Sequence, residues 1–253
     1  MNSADIATLF EELPQEILPK IFRLLPKELA ADTFVEMDTD LQQLLIKSFS
    51  DKELKAVVNE LYADDAVDIV EEMPANVVKR ILKQADPDMR KDINQLLKYP
   101  EASAGSVMTT EFVDITENIT VKKAIEHIHR TGIDKETVNT CYVTQNDKVL
   151  IGTVTLRTLI LANPDDVISD LMDRNIISVT TDVDQETVAS DFSKYNLLAM
   201  PVVDAENRLV GIVTVDDVLD VIEEEATEDI VKMAAISPSD KTYFKTGIFE
   251  TVK

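Results

Sequence analysis

An acidic run dominates the last part of the sequence. The stretch "VDDVLDVIEEEATED", residues 215–229, carries eight carboxylates, and no basic residue follows until Lys232. On a helix, like charges three or four residues apart each cost roughly a few tenths of a kcal/mol. Acids late in a helix also oppose its dipole. Because these charges weaken the helix that carries them, their spacing favours an external cation.

Mg²⁺ fits such a surface, because it is a hard ion that prefers oxygen and often keeps several waters while binding one or two carboxylates. Ca²⁺ fits less well, since the sequence has no "DxDxDG" loop. The alternative that the residues leave open is a solvated acidic face that aids solubility. The metal ligands predicted in this run are Asp216, Asp217, Asp220, Glu224, Glu225, Glu228 and Asp229.

The same helix needs a face that packs on the protein. We expect one apolar face made of Val218, Leu219, Ile222, Ala226 and Ile230, which recur at helical spacing.

A second acidic cluster lies in "LYADDAVDIVEE", residues 61–72. Asp64 and Asp68 are four residues apart and therefore share one face of a helix. The alternative is structural, because an Asp near a helix start caps it and favours its dipole.

The composition excludes several classes of function. A net charge of −23 over 253 residues repels nucleic acid and anionic lipid and attracts cations. Cys141 is the only cysteine, so neither a disulfide framework nor a cysteine zinc site is expected. The sequence has no Gly-rich loop, Ser nucleophile motif or Cys–His pair, which argues against an enzyme. No apolar run reaches the ~18 residues of a membrane span, so the chain by itself is expected to be soluble and intracellular.

Residues 1–98 carry a twelve-residue repeat. Pro, Ser or Asp often follows the repeated apolar position; "SDKE", residues 50–53, is typical of a capping box, and Asp86 and Pro87 of a cap with the first helical residue. Twelve residues make a short helix and a turn, which predicts an all-α, superhelical N-terminal domain of about eight helices. An irregular bundle is the alternative. The repeated positions are Leu13, Leu25, Met37, Phe49, Leu61, Met73, Ala85 and Leu97.

After a linker, residues 99–105, the pattern changes to short β-branched runs that alternate with helical stretches. Two segments repeat: residues 107–128 resemble 171–192, and residues 142–156 resemble 201–215. Each copy reads strand, helix, strand, turn, strand, helix, which predicts an α/β unit. The predicted strands are "FVDIT", "CYVTQ", "IGTVT", "IISVTT", "MPVVD" and "LVGIVTV".

The repeated unit, with "MPVVDAENRLVGIVTVDDV" as its clearest segment, resembles a tandem pair of cystathionine β-synthase (CBS) domains. The order of helical repeat, "GSVMTTEFV", CBS pair and acidic run resembles the cytosolic part of an MgtE-type magnesium transporter. The resemblance implies a multidomain chain, with an N domain at 1–98, a linker at 99–105, CBS domains at 106–165 and 166–226, and an acidic exit helix leading to a connecting helix at 227–253.

The resemblance also implies a function. Such a region senses cytosolic Mg²⁺ and closes its own transmembrane pore, which would lie beyond Lys253, at the cytoplasmic face of the cell membrane. Homodimerisation through the CBS domains is implied as well. The alternative is a soluble CBS pair that senses adenosyl ligands and regulates another protein.

Individual positions match the family. Asp64 and Asp68 are implied, over Asp65, to face the CBS acids across a cleft and share Mg²⁺ with them. Glu186 matches another metal position, whereas Asn196 stands where the family can carry an acid.

The second copy carries the Gly-x-x-Thr-x-x-Asp pattern of CBS domains that bind adenine nucleotides: Gly211, Thr214 and Asp217. In the first copy Thr158 replaces the Asp. ATP is therefore a secondary expectation, at one site only.

Overall fold

A computed structural model describes residues 1–233 of the chain. Within that range the description leaves out the side chains of Asp134, Glu224, Glu228, Asp229, Val231 and Met233. The predicted connecting segment therefore lies outside the described residues from position 234 onward.

The N-terminal helical domain contains eight helices, as the repeat predicted. Helices two apart in the sequence pack on each other, so odd-numbered and even-numbered helices form two layers. The packed pairs are α1 with α3, α3 with α5, α5 with α7, α2 with α4, and α6 with α8. The helices are α1 (Ser3–Glu11), α2 (Leu18–Phe22), α3 (Lys27–Val35), α4 (Thr39–Ser48), α5 (Asp51–Val58), α6 (Ala63–Glu72), α7 (Ala75–Gln84) and α8 (Pro87–Leu96).

The repeated apolar positions lie in the turns between helices, where most are buried; Leu97 is 37% exposed. Ser50 and Glu53 form the predicted capping box at the start of α5. Asp86 occupies the N-cap of α8 and Pro87 follows it, as predicted, although the Asp86 side chain instead accepts a hydrogen bond from Lys55. Local caps therefore set where each helix begins.

The two α/β copies have the same topology, and all six predicted strands are present. In each copy the first strand is parallel to the second, which is antiparallel to the third. The first copy contains β1 (Asp114–Thr116), α9 (Val121–Thr131), β2 (Thr140–Thr144), β3 (Leu150–Thr155) and α10 (Leu156–Leu161). The second contains α11 (Ile168–Leu171), β4 (Val179–Thr180), α12 (Gln185–Tyr195), β5 (Ala199–Val203), β6 (Leu209–Thr214) and α13 (Val215–Met233).

Each copy adds a short segment to the sheet of the other. Thr109 pairs with Ile212 of β6, and Asp173 pairs with Thr153 of β3. The chain crosses close over the glycine of each third strand: a Cβ on Gly211 would lie 2.5 Å from Met108 Sδ and 2.8 Å from the Thr109 carbonyl oxygen. The close approach explains why a glycine splits each hydrophobic strand.

The N-terminal helical domain shares its apolar core with the second copy. One continuous cluster of buried residues runs from α1 to α8 and on into β4, α12, β5, β6 and the start of α13. The predicted linker is ordered: the Ala104 N–H donates to the Val183 carbonyl at 2.7 Å and the Gly105 N–H to the Thr181 carbonyl at 2.9 Å.

The apolar face predicted for α13 is confirmed at Val218 and wrong at the other four positions. Val218 and Val221 are the positions buried against the second copy, whereas Leu219, Ile222 and Ile230 are 59%, 45% and 67% exposed. The sequence pattern contains two overlapping apolar stripes, and contact with α12 selects the one through Val221.

Of the helices in residues 1–233, none combines the length and the apolar character that a membrane crossing demands.

We predict that Gly211→Ala destabilises the chain by about 1–3 kcal/mol, because the new methyl group meets a backbone carbonyl that cannot turn away. Gly152→Ala is the matched control. There too a methionine side chain, Met172, lies nearest, but the backbone oxygen of Asp173 is 3.1 Å away instead of 2.8 Å, so the loss of stability should be smaller. Urea unfolding of both variants measures the difference; a Gly211 variant as stable as the parent would refute this account of the crossing.

Candidate metal centre

Helix α6 carries one carboxylate into a buried position. Its other buried residues are apolar, among them Ala63, Ala66 and Val67. Asp64 in the first turn is nevertheless only 6% exposed, and its Oδ1 atom has no hydrogen-bond partner. Burial of an unpaired carboxylate is costly. Burial therefore raises the pKa of Asp64 well above its usual range, and the negative charge of Asp217 raises it further.

Asp217 is held in place by the turn from β6 into α13. Its Oδ2 atom accepts hydrogen bonds from the Thr214 hydroxyl at 2.5 Å and the Thr214 N–H at 3.3 Å. Burial raises its pKa to about 6, although these bonds act in the opposite direction, and neighbouring Asp216 adds to the rise. The Asp217 carboxylate is thus fixed where it repels the acids of α6.

The first copy supplies two more carboxylates. Glu136 precedes β2, and its N–H donates to the Glu111 carbonyl at 2.9 Å. Burial raises the pKa of Glu136 to about 8, followed by the charges of Asp217 and Asp216. Glu111 lies close enough to raise the pKa of Asp64 and of Glu136.

Acids from α6, from the first α/β copy and from the start of α13 therefore come close to one another, and we call them the junction cluster. Burial, followed by the charge of Asp217, also raises the pKa of Asp65 to about 7. All members of the cluster are negative when ionised, so they repel one another, and the folded chain keeps part of their protons at neutral pH. The cluster consists of Asp64 and Asp65 from α6, Glu111 and Glu136 from the first copy, and Asp216 and Asp217 from α13.

The structure brings together only some of the predicted metal ligands. Asp64, Asp216 and Asp217 belong to the junction cluster, although Asp216 is exposed. Asp220 is also exposed on α13, and its charge adds to the rise in the pKa of Asp217, while Asp68 is exposed on α6. The side chains of Glu224, Glu228 and Asp229 lie outside the described part of the chain.

Glu186 and Glu225 meet elsewhere, in a groove between α12 and α13. They line a cavity of about 300 Å³ together with Ala189, Ser190 and Ser193. Asn196, which replaces an acid of the family, ends α12 in the left-handed conformation with φ 52°. Asn tolerates that conformation, which gives the replacement a structural reason.

Sequence reasoning missed Asp65, Glu111 and Glu136. The family resemblance favours Asp68 over Asp65, and helical spacing alone does not show which of the two turns towards another domain. Glu111 and Glu136 are single acids outside any acidic run, and only the crossing of the two copies brings them near Asp217. The signal available in the sequence was weak: "KETV" places a Glu a few residues before the buried strand β2.

The junction cluster is not a ready-made chelate. Among the described residues, no three acidic, His or Cys side chains converge closely enough to hold a metal ion as they stand. The arrangement suits a divalent ion that keeps part of its water shell and is shared between facing carboxylates. Such an ion would relieve both the repulsion and the unpaired Asp64 oxygen.

Known proteins resemble this chain over almost its whole length. The family model for the MgtE intracellular N domain matches residues 1–102, and that for the CBS domain matches 104–165 and 168–224. The magnesium transporter MgtE of Thermus thermophilus is 38% identical over 98% of this chain and 56% of its own length. The magnesium transporter MgtE of Bacillus subtilis is 34% identical over 94% of this chain and 53% of its own. The chain thus spans about half the length of these curated relatives.

A solved structure extends the similarity to the fold. The crystal structure of the cytosolic domain of the Mg²⁺ channel MgtE in complex with ATP matches with a TM-score of 0.83 at 36% identity. The match covers 87% of this chain and 90% of that chain.

Without divalent ions, the stability of the folded chain is expected to fall as pH rises from about 5 to about 8. The folded-state pKa values of Asp217, Asp65 and Glu136 are about 6, 7 and 8. They exceed the ordinary carboxyl value of about 4. The folded state therefore holds more protons than the unfolded state across this window, and stability declines as they are lost.

Thermal unfolding midpoints in EDTA across this pH range measure the effect. Asp217→Asn should flatten the profile, whereas Asp5→Asn, an exposed acid of α1, should leave its slope unchanged. A midpoint of the parent chain that rises from about pH 5 to 8 would contradict the expected sign.

Proposed function

Since this chain belongs to the MgtE family and corresponds to its cytosolic region, we propose that it senses Mg²⁺ and that bound ions stabilise the compact arrangement. The observation that carries the proposal is the buried, unpartnered Asp64 oxygen next to the charge of Asp217. Membership of a transporter family agrees with the lack of enzyme motifs in the sequence.

Ion binding at the junction would change the balance between two arrangements. When Mg²⁺ is scarce, the carboxylates of α6 repel those of α13 and of the first copy, and the N-terminal helical domain separates. Two unit charges ~4 Å apart repel by about 1 kcal/mol in water and by several times more where water is partly excluded. When Mg²⁺ is plentiful, shared ions remove that repulsion and the closed arrangement is favoured.

In the whole protein, we propose that the closed arrangement acts on a transmembrane pore. Helix α13 packs on α12 of the second copy and carries Asp217, whose charge acts on Asp64 of α6, so a shift of the N-terminal helical domain would act on this helix. The rest of the acidic run, including Asp220, Glu224, Glu228 and Asp229, is proposed to bind further ions along this helix. This assigns the region to the cytoplasmic face of the cell membrane, with feedback inhibition by cytosolic Mg²⁺ as its role.

Homodimerisation through the two α/β copies is part of the same proposal. Ile222, which is 45% exposed, lines the groove between α12 and α13 together with Glu186 and Glu225, and Leu219 of the same helix is 59% exposed. A second copy of the chain would cover these residues and bring the two acids of the groove to the dimer contact.

Nucleotide binding is the second candidate, favoured by the ATP complex of the related structure. Gly211, Thr214 and Asp217 keep the spacing of a nucleotide motif, but Thr214 and Asp217 are hydrogen-bonded to each other. The surrounding acids would repel a bare polyphosphate. We therefore propose that any ATP enters this cleft with its charge neutralised by Mg²⁺.

Millimolar Mg²⁺ is expected to reduce the radius of gyration of this chain in solution X-ray scattering. Asp64→Asn and Asp217→Asn should each make the chain more compact in EDTA, because a repulsion is lost, and reduce the further change caused by Mg²⁺. Asp5→Asn is the control and should behave as the parent does. A parent radius that Mg²⁺ leaves unchanged would rule out the gate.

Calorimetry distinguishes the two candidates. Heat of ATP binding is expected in Mg²⁺ and not in EDTA, and Thr214→Ala should weaken it. Strong binding of ATP or AMP in EDTA, together with no response to Mg²⁺, would support the alternative of a soluble adenosyl-ligand sensor.

A further inference from the structure

The first two helices leave apolar side chains exposed where the helical stack begins. Helix α1 packs on α3 and α2 packs on α4, so these two helices are the first members of the two layers. Leu9 in α1 is 44% exposed, and Ile17 and Leu24, which flank α2, are 43% and 81% exposed. A helical repeat normally ends in a polar outer face, because its terminal repeat has no further repeat to cover it. These three side chains depart from that rule.

Hydrogen bonds fix the backbone that carries two of them. The Ile17 N–H donates to the Pro14 carbonyl at 2.8 Å, and the Leu24 N–H donates to the Ile21 carbonyl at 2.9 Å. Because Ile17, Ile21 and Leu24 are four and three residues apart, they lie on one side of α2. Ile21 is half-buried against the core of the domain, whereas the other two remain exposed. The apolar surface is thus an ordered part of the fold.

The charges that accompany this surface are mostly negative. Residues 1–22 contain four acids and one base, Lys20. Glu11, Glu12 and Glu16 are exposed, and in the part of the chain that the structure describes none of them forms an ion pair. The last turn of α1 has no base, so the acids at its end oppose the helix dipole. We call these three acids, together with Leu9, Ile17 and Leu24, the end face.

The bases that follow along the chain are already engaged. The Arg23 Nε donates to the Glu53 carboxylate at 2.6 Å, and its guanidinium also donates to the Pro19 carbonyl at 3.2 Å. Lys27 forms an ion pair with Glu60. The negative charge of the end face therefore stays available to a partner.

This charge distinguishes between the kinds of molecule that could cover the end face. Nucleic acid and anionic membranes would be repelled by it. Two copies of the end face would also repel each other, because like charges would meet. A basic amphipathic helix satisfies both properties, since its apolar side chains would contact the apolar residues while its Lys or Arg side chains meet the acids.

We propose that the end face of α1 and α2 is a docking surface for a basic amphipathic helix of a partner protein. Apolar contact would supply most of the affinity, and the acids would speed association and orient the helix. The inference does not depend on Mg²⁺ sensing, because no residue of the end face belongs to the junction cluster.

A synthetic helical peptide of leucine and lysine, with all leucines on one face, tests this proposal. A peptide of the same composition, with leucines spread around the helix, is the control probe. Binding to the 253-residue chain is measured by fluorescence anisotropy at ~0.15 M salt. We expect the amphipathic peptide to bind about tenfold or more tightly than the control peptide, and to bind more weakly as salt rises.

Variants locate the binding. Ile17→Ser and Leu24→Ser should each weaken binding of the amphipathic peptide by about threefold to tenfold, because apolar contact is lost. Ile133→Ser is the matched control, since Ile133 lies in the first α/β copy and is 85% exposed. Glu12→Gln should weaken binding and reduce its salt dependence, whereas Glu126→Gln, an exposed acid of α9, should change neither. Unchanged thermal unfolding midpoints establish that the variants are folded.

Three results would overturn the inference. The first is equal binding of the two peptides to the parent chain, and the second is equal binding of the amphipathic peptide to the Leu24 and Ile133 variants. The third is self-association of the parent, measured by light scattering, that Leu24→Ser abolishes, because a second copy would then occupy the end face. None of these results bears on the response to Mg²⁺, so the two proposals fail separately.

Discussion

Repulsion between carboxylates that the fold forces together is the interaction on which the rest of this structure depends. The apolar core joins the N-terminal helical domain to the second copy, and that contact carries Asp64 into a buried position beside Asp217. Hydrophobic burial and charge repulsion therefore oppose each other at one junction. In the proposed equilibrium between a closed and a separated arrangement, small changes in charge would shift the balance, because the net free-energy difference is smaller than either contribution.

The symmetry of the two copies explains how acids from distant parts of the sequence reach this junction. Each copy lends a short segment to the sheet of the other, and Met108 and Met172 cross over Gly211 and Gly152 in equivalent ways. The symmetry breaks in the side chains: Asp217 of the second copy corresponds to Thr158 of the first. Of these two equivalent positions, the one in the second copy, Asp217, carries a charge, and that charge acts on Asp64 of α6. Among the described residues, the strands of the second copy, and not β1 to β3 of the first, belong to the core that continues from the N-terminal helical domain.

The elements of this fold could largely be predicted from the sequence, because local signals define them. The twelve-residue repeat and its caps determine the eight helices, and β-branched runs determine the strands, two of which contain a glycine. Tertiary choices were harder. The apolar pattern of α13 allowed two packing faces, and α12 selected Val221 over Leu219. Glu136 was missed because it joins the cluster only through the crossing of two copies, which no local pattern records.

The ordered segment between the N-terminal helical domain and the α/β copies has a consequence for how the two would reassociate. Residues 102–105 are hydrogen-bonded to the second copy through Ala102, Ala104 and Gly105, so a separated domain would remain attached by a short tether beside its own docking surface. A short tether gives an effective local concentration of about millimolar or more. Return of a separated N-terminal helical domain to the second copy would then be a unimolecular step. Even a weakly bound ion would suffice to shift the equilibrium towards the docked arrangement.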